Sequence, residues 1–221
     1  FKTPFKINNK SKAKYVIKCF EIAIKLSKLN KIHGFINCPV NKNDIFRSNY
    51  GVTEFLARKS NVLGKEAMII FNKKLSVCPI TTHIKIKEVS KNLTKRIIYE
   101  KVKTINKFYK DKFRFKPKIG ILGLNPHNYE LRNNSEEKKI ILPAIKKLQK
   151  KGIKVKGPLS GDTAFLKSKN FHILVGMYHD QVLSPYKALY NFDAINITAG
   201  LPYVRVSPDH GTGKDIIKKN M

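Results

Sequence analysis

Two features of the sequence predict an α/β protein built around a largely parallel β-sheet. Six short apolar runs of strand length alternate with segments of helical periodicity, which is the order expected of repeated β-α-β units. Two of these runs are apolar almost throughout, as strands are when helices cover both faces of a sheet. The six runs lie at 34–40, 67–71, 75–80, 118–124, 172–177 and 194–198.

Apolar residues recur at helical spacing in three segments, 11–29, 88–109 and 135–150. The third segment begins at Ser135, which is followed by two glutamates, a typical start of a helix. Gly152 then follows its end as a stop signal. The sequence therefore predicts three amphipathic helices that pack on the sheet.

Composition favours a cytoplasmic protein that does not enter a membrane. No apolar run approaches the roughly 18 residues of a membrane span, and the first residues lack the apolar core of a signal peptide. The cysteines Cys19, Cys38 and Cys78 are odd in number and widely spaced. They suit neither a disulfide framework nor a zinc motif, so we expect a reducing compartment.

The formal net charge of +30 raises the question of nucleic-acid binding. Only six of the 45 basic residues are arginines, although arginine is the residue best suited to bidentate phosphate contacts. The lysines are spread over the whole chain, and no zinc-finger or RNA-binding motif is present. We therefore interpret the lysines as solvated surface and predict no specific nucleic-acid partner.

Three of the strand-length runs are followed within a few residues by a histidine: His83, His127 and His179. In open α/β sheets, ligands bind beyond the carboxyl ends of the strands. Three imidazoles from separate loops can supply the protein ligands of a divalent ion, although each alone is more often an ordinary loop residue. His33 precedes a strand and His172 begins one, at the opposite edge of the sheet, so we interpret both as structural.

Lys187, Asn196 and Arg205 are expected beyond the same sheet edge, where the two basic side chains could bind a carboxylate or phosphate. A surface role is the simpler reading of Lys187 in a lysine-rich chain, whereas Arg205 is a scarce residue between two valines. No GxGxxG or P-loop motif is present. The turn at 209–215 opens a predicted helix and is the candidate phosphate-binding segment, or simply a helix start.

Several motifs together resemble the 4-hydroxythreonine-4-phosphate dehydrogenases of pyridoxal phosphate biosynthesis. The most specific are MYHDQ at 177–181 and SPDHGTG at 207–213, and the match extends through the whole chain in order and spacing. The other matching segments are CPVNK at 38–42, TEFLA at 53–57, TTH at 81–83, GLNPH at 123–127, GP at 157–158, DT at 162–163 and INIT with GLPYVR at 195–205.

This resemblance implies a two-lobed fold like that of isocitrate and isopropylmalate dehydrogenases, with the active site in the cleft and a homodimer contributing to it. One lobe would comprise 1–48 and 176–221, and the other 49–175. The implied reaction is the NAD- or NADP-dependent oxidation of 4-phosphooxy-L-threonine with a divalent metal (zinc, magnesium or cobalt), followed by decarboxylation. Members of the family extend beyond both ends of this sequence, so we expect a fragment.

The resemblance also implies roles for individual residues. Lys187 and Asp162 would be catalytic, and Asp162 and Asp180 could orient the metal-binding imidazoles. The metal ligands would be His83, His127 and His179; the substrate contacts Thr53, Lys187, Asn196 and Arg205; and the dinucleotide contacts Asp209, His210, Gly211 and Thr212.

Two departures from the family pattern bear on function. Val52 stands where the family has a histidine, and the glycine-rich stretch after His127 is replaced by NYELRNNS. Two alternatives therefore remain open. One is a paralogue that oxidises another phosphorylated hydroxy acid, and the other is a non-catalytic relative whose basic surface binds anions.

Overall fold

The computed structural model describes residues 9–41, 45–46 and 51–213. Its centre is one eight-stranded sheet with the strand order β1-β8-β7-β2-β3-β6-β4-β5. The strands are β1 (Gly34–Ile36), β2 (Ala67–Phe71), β3 (Ser76–Pro79), β4 (Ile119–Leu122), β5 (Val155–Leu159), β6 (Ile173–Gly176), β7 (Ile195–Ala199) and β8 (Val204–Pro208).

Parallel pairing dominates the sheet and confirms the predicted fold class. Strands β3, β6, β4 and β5 are mutually parallel, and β1 is parallel to β8. The pairs β2–β3, β2–β7 and β7–β8 are antiparallel. Two of these are joined by residues 72–75 and 200–203, and connections this short permit only antiparallel neighbours.

Helices cover both faces of the sheet. They are α1 (Asn9–Lys28), α2 (Val52–Lys59), α3 (Val89–Asn92), α4 (Lys95–Phe113), α5 (Leu142–Lys150), α6 (Gly161–Ala164) and α7 (His179–Tyr190). Short 3-10 turns lie at Ile86–Glu88 and Ser168–Asn170, and a π-helical turn at Glu137–Ile141 runs into α5. None of the described helices is both long and apolar enough to cross a membrane.

The predicted helices agree with this arrangement at 11–29 and 135–150, but the single helix predicted over 88–109 is wrong. The helix is interrupted between α3 and α4, because the backbone of Thr94 is extended and its side chain caps the start of α4. Its hydroxyl accepts a hydrogen bond from the Ile97 amide at 3.1 Å. The helix predicted to begin near Gly213 falls on 214–221, outside the described residues.

Alternate residues of each strand enter opposite cores, as the two-residue period of a strand requires. Ile69 and Ile197 pack into the core beneath α4 and α5, whereas Met68 and Ile70 pack into the core beneath α7. A third cluster joins α1 to α2. One continuous sheet contains strands from both predicted lobes, and the division into 1–48 with 176–221 and 49–175 stays a prediction.

Candidate active site

A cleft of about 580 Å³ lies against one face of the sheet, between α2 and α7. Met68 and Ile70 of β2 form part of its floor. The polar side chains that line it come from six separate parts of the chain. They are Asn37, Thr53, Glu54, His83, His179, Asp180, Ser184, Lys187, Asn196, Arg205, Ser207, Asp209 and His210.

Strand alternation, rather than position at a strand end, brings Asn196 and Arg205 into this cleft. Both lie within strands, and their neighbours Ile197 and Val206 point to the opposite core. The expectation that they lie beyond the edge of the sheet is therefore wrong. The Asn196 amide oxygen is buried and accepts no hydrogen bond within the described part of the chain, so it is available to a ligand.

The Arg205 guanidinium is nearly fully buried, with 3% of the residue exposed. Its Nε donates to Asn37 Oδ1 at 2.7 Å, and a terminal nitrogen donates to Thr198 Oγ1 at 3.0 Å. Burial lowers the pKa of Arg205 to about 10, while Tyr203 and Glu54 act in the opposite direction. The side chain therefore remains cationic at neutral pH. At this buried position the low dielectric would strengthen its attraction to an anion. Asn37 was not among the predicted site residues.

Lys187 is held on the other side of the cleft by the segment that follows β8. Its amino group donates to the Asp209 carbonyl oxygen at 2.9 Å and also contacts the Asp209 carboxylate. The same nitrogen lies 4.6 Å from the centroid of the Phe192 ring, a cation–π arrangement. Of the four predicted dinucleotide contacts, Asp209, His210 and Gly211 line the cleft, whereas Thr212 is exposed and does not line it.

Helix α2 brings Thr53 to the cleft in its first turn. Glu54 stabilises the start of this helix because its carboxylate accepts the Gly51 amide hydrogen at 2.9 Å. The second carboxylate oxygen of Glu54 accepts from the Thr82 hydroxyl at 3.1 Å, which ties α2 to the loop that carries His83. Val52 is 8% exposed and packs with the α1–α2 cluster, so a partly apolar wall stands where the family has an imidazole.

His83 and His179 come together at the end of the cleft formed by the loops after β3 and β6. Their ring centroids are 5.8 Å apart. Two imidazoles on one zinc ion, with metal–nitrogen distances of about 2.0–2.1 Å, would place their centroids roughly 5–6 Å apart. The Nδ1–H of His179 donates to the Asp180 carboxylate at 2.7 Å, which leaves Nε2 to act as a ligand.

His127 does not line this cleft. It begins a run of five non-glycine residues, 127–131, with φ between 45° and 57°. Glycine adopts this left-handed backbone most readily, so five residues with a Cβ atom are strained here. Within the described ranges, no three His, Cys, Asp or Glu side chains form a complete metal site.

Asp162 lies on α6, exposed and outside the cleft. The Ser160 hydroxyl is the main cause that lowers the pKa of Asp162, and the charge of His127 lowers it further. An ionised carboxylate near an imidazole suits an orienting role toward His127.

The loop before His127 is anchored by two residues that the sequence analysis did not single out. Glu137 is fully buried, and one of its carboxylate oxygens accepts the amide hydrogens of Leu124 and Asn125 at 2.8 and 2.7 Å. Gln181 donates to the Gly123 carbonyl oxygen at 2.7 Å and accepts from the Met177 amide at 2.6 Å. Gln181 thereby connects the loops that carry His127 and His179. Only the position of Gln181 within the MYHDQ motif marked it in the sequence.

Comparison with known proteins identifies the family of this chain. A family model described as "Pyridoxal phosphate biosynthetic protein PdxA" matches residues 2–221. The chain belongs to the PdxA family. It is 47% identical over 223 residues to the 4-hydroxythreonine-4-phosphate dehydrogenase of Sulfurihydrogenibium sp. (strain YO3AOP1), covering 98% of this chain and 69% of that protein.

Two further comparisons bear on substrate and structure. The D-threonate 4-phosphate dehydrogenase of Pectobacterium atrosepticum is 34% identical over 205 residues, covering 90% of this chain and 63% of that protein. The crystal structure of 4-hydroxythreonine-4-phosphate dehydrogenase from Klebsiella pneumoniae superposes with a TM-score of 0.81 at 32% identity. That match covers 92% of this chain and 64% of the other, so the PdxA-family chain spans part of the length of each of these relatives.

A more distant structural match supports the predicted fold class. The isocitrate dehydrogenase of Methylococcus capsulatus superposes with a TM-score of 0.50 at 12% identity over 82% of this chain. At this identity the likeness concerns the fold alone. The α/β fold of the isocitrate dehydrogenase type is thereby confirmed.

Proposed function

We propose that this chain provides the active site of an NAD(P)-dependent, divalent-metal-dependent dehydrogenase. Its reaction would be the oxidation of 4-phosphooxy-L-threonine to 2-amino-3-oxo-4-phosphooxybutanoate, which decarboxylates to 3-amino-2-oxopropyl phosphate. The observation that carries the proposal is that one cleft gathers a pair of imidazoles, two cationic side chains and an unpartnered amide oxygen. The family membership supports the same chemistry.

Substrate binding is assigned to the sheet face and to α2. Arg205 and Lys187 would bind the carboxylate and phosphate groups, since both are cationic and already held by hydrogen bonds. The free Asn196 amide oxygen would accept from the substrate ammonium or hydroxyl group. Thr53 would add a hydroxyl contact from the opposite wall.

The metal would be held by His83 and His179, with Asp180 fixing the tautomer of His179. A divalent cation supplies Lewis acidity at the substrate hydroxyl, and a nicotinamide supplies the hydride acceptor. The segment Asp209–Gly211 lines the same cleft and is the proposed contact for the dinucleotide. The Lys187 amino group, which is held by Asp209, would hold or pass a proton at the substrate as the predicted catalytic group.

We propose further that the enzyme is a homodimer with the site at the subunit interface. In one chain, the exposed His127 and Asp162 lie outside the cleft that contains the other two histidines. A second copy would therefore supply the third imidazole, with Asp162 as its orienting carboxylate or as the predicted catalytic group. The three free thiols, of which Cys19 and Cys38 are exposed, support the cytoplasm as the place of action.

Complementation between two inactive variants tests the shared site. His127→Ala and His179→Ala are each expected to abolish metal-dependent dinucleotide reduction, and His33→Ala, outside the cleft, to retain it. In a re-equilibrated mixture of the two inactive variants, half the dimers are mixed and one of their two sites is intact. Activity should then return to about a quarter of wild type. A mixture as inactive as its components would exclude ligands shared between subunits.

D-threonate 4-phosphate is a second candidate substrate, favoured by the similarity to the D-threonate 4-phosphate dehydrogenase of Pectobacterium atrosepticum. Reduction of NAD and of NADP should be followed with each phosphorylated acid, with and without added divalent ion. Turnover of 4-phosphooxy-L-threonine alone supports the first proposal, and turnover of D-threonate 4-phosphate alone supports the second. Metal and substrate binding without turnover of either would identify a non-catalytic relative.

A further inference from the structure

A second cavity, of about 740 Å³, lies at the β5 edge of the sheet. It is bounded by the beginnings of β4 and β5 and by the short segment that contains α6. Its floor is apolar, and its rim carries hydroxyl and amide groups. Leu159, Phe171 and Ala164 supply the apolar part of the lining on one face of the sheet, and the rim includes Ser160, Thr163 and Asn170.

Four lysines, Lys118, Lys154, Lys156 and Lys167, also line this cavity, and no aspartate or glutamate does. The active-site cleft, in contrast, contains Glu54, Asp180 and Asp209 beside its basic residues. The cavity between α4 and the 200–203 connection likewise contains Glu100 and Asp111 beside its lysines. The excess of lysine over the whole chain therefore does not explain why all the charged residues that line this cavity are basic.

None of the four amino groups has an ion pair or hydrogen bond with any residue that the structure describes. Two of the four, Lys118 and Lys154, act on His172, which directly follows Phe171 of the cavity lining. Burial is the main cause that lowers the pKa of His172, and the charges of Lys118 and Lys154 lower it further. The charges of Lys118 and Lys154 are thus both close enough to His172 to act on it.

We propose that this cavity binds a small phosphorylated molecule that carries at least two phosphate groups. Lysine ammonium groups bind phosphate oxygens as point charges, and the rim hydroxyls can donate to the same oxygens. The volume lies within the roughly 300–1,000 Å³ of small-molecule sites, and Phe171 offers a face for an apolar or aromatic part of the ligand. None of the residues that line this cavity lines the cleft, although Ser160 and Thr163 of its rim flank Asp162, which is proposed to act in the partner's site.

Calorimetric titration with pyrophosphate and with ADP at low ionic strength tests this site. The variant Lys154→Gln/Lys156→Gln removes two of the four charges and keeps most of each side-chain stem. Lys146→Gln/Lys150→Gln removes the same net charge from exposed positions of α5 and is the matched control. Circular dichroism and thermal unfolding verify that both variants fold.

We expect saturable binding by the wild type, at least a tenfold weaker affinity in the Lys154/Lys156 variant and less than a twofold change in the control. The imidazole pKa of His172, followed by NMR, should rise when ligand neutralises the nearby lysines. If both variants lose affinity equally, the effect depends on overall net charge alone, and the proposed site is overturned. Absence of binding by the wild type, or binding of an oligonucleotide but of neither small probe, would overturn it as well.

Discussion

Arg205 donates a hydrogen bond from Nε to Asn37 Oδ1 at 2.7 Å, across 168 residues of the chain. The contact joins β8 to the segment that follows β1, its parallel neighbour at the edge of the sheet. With Thr198 as the second partner, it orients a buried guanidinium so that its remaining donors are available to the cleft. If Arg205 binds substrate as proposed, Asn37 acts on that binding through the orientation of the guanidinium.

Asn37→Ala is expected to raise KM for the phosphorylated substrate about tenfold, with a smaller effect on kcat, because it removes a contact that orients Arg205. Leaving the buried Nε–H without a partner should also cost about 1–3 kcal/mol of unfolding free energy. Steady-state kinetics and urea denaturation measure the two effects. Asn92→Ala, which removes an exposed amide that bonds its own helix, is the control. An unchanged KM in Asn37→Ala would contradict this role.

Glu137→Ala is expected to destabilise the protein by about 2–5 kcal/mol, since two amide hydrogens beside Gly123 lose their buried acceptor. Glu137→Gln keeps one acceptor oxygen and should cost less. Because these contacts anchor the loop that carries His127, metal affinity should fall with the alanine change even where the variant remains folded. Denaturant titration and metal titration test both points, with Glu88→Ala on the surface as control. Equal metal affinity in all three variants would show that Glu137 does not position the His127 loop for metal binding.

Glu130→Gly is expected to stabilise the protein by about 1 kcal/mol, the reverse of the usual effect of glycine. Glu130 has φ of 50°, and its ion pair with Arg132 is exposed, so little is lost with the side chain. Glu130→Ala should give no such gain because alanine retains Cβ. Glu100→Gly, within α4, should cost about 1 kcal/mol. Thermal unfolding of the three variants provides the measurement, and destabilisation by Glu130→Gly would contradict a left-handed loop.

His172 is expected to titrate below its ordinary value of 6.5, because burial and then Lys118 and Lys154 lower its pKa. Between the pKa of His172 in the unfolded chain and its lower pKa in the folded protein, the unfolded chain binds more protons. The free energy of unfolding therefore decreases as the pH falls through this interval. The Lys118 amide donates to His172 Nδ1 at 2.9 Å, which also requires the neutral ring. His172→Asn retains an acceptor without titrating. Its unfolding free energy should therefore decline less than that of wild type between about pH 7.5 and 5.5; parallel curves would contradict the prediction.

Local patterns in the sequence predicted six of the eight strands and the segments that form α1, α4 and α5, but they missed β5, β8, α2, α6 and α7. The apolar runs that preceded His83 and His179 placed both residues at one sheet edge, because β3 and β6 are parallel neighbours. The break at Thr94 was missed because a capping hydroxyl interrupts the helix without disturbing its apolar period. The place of Asn196 and Arg205 was missed because the antiparallel β7 and β8 present them from a sheet face.

The sequence by itself determined the fold class, the family and the types of side chain that any site would contain, since these depend on periodicity and on motifs carried by short segments. Only the tertiary structure decided which of those side chains meet. It paired Arg205 with Asn37, brought Lys187 to Asp209, and separated His127 from the other two imidazoles. Such contacts depend on strand register and loop conformation over long separations, and no local pattern of residues specifies them.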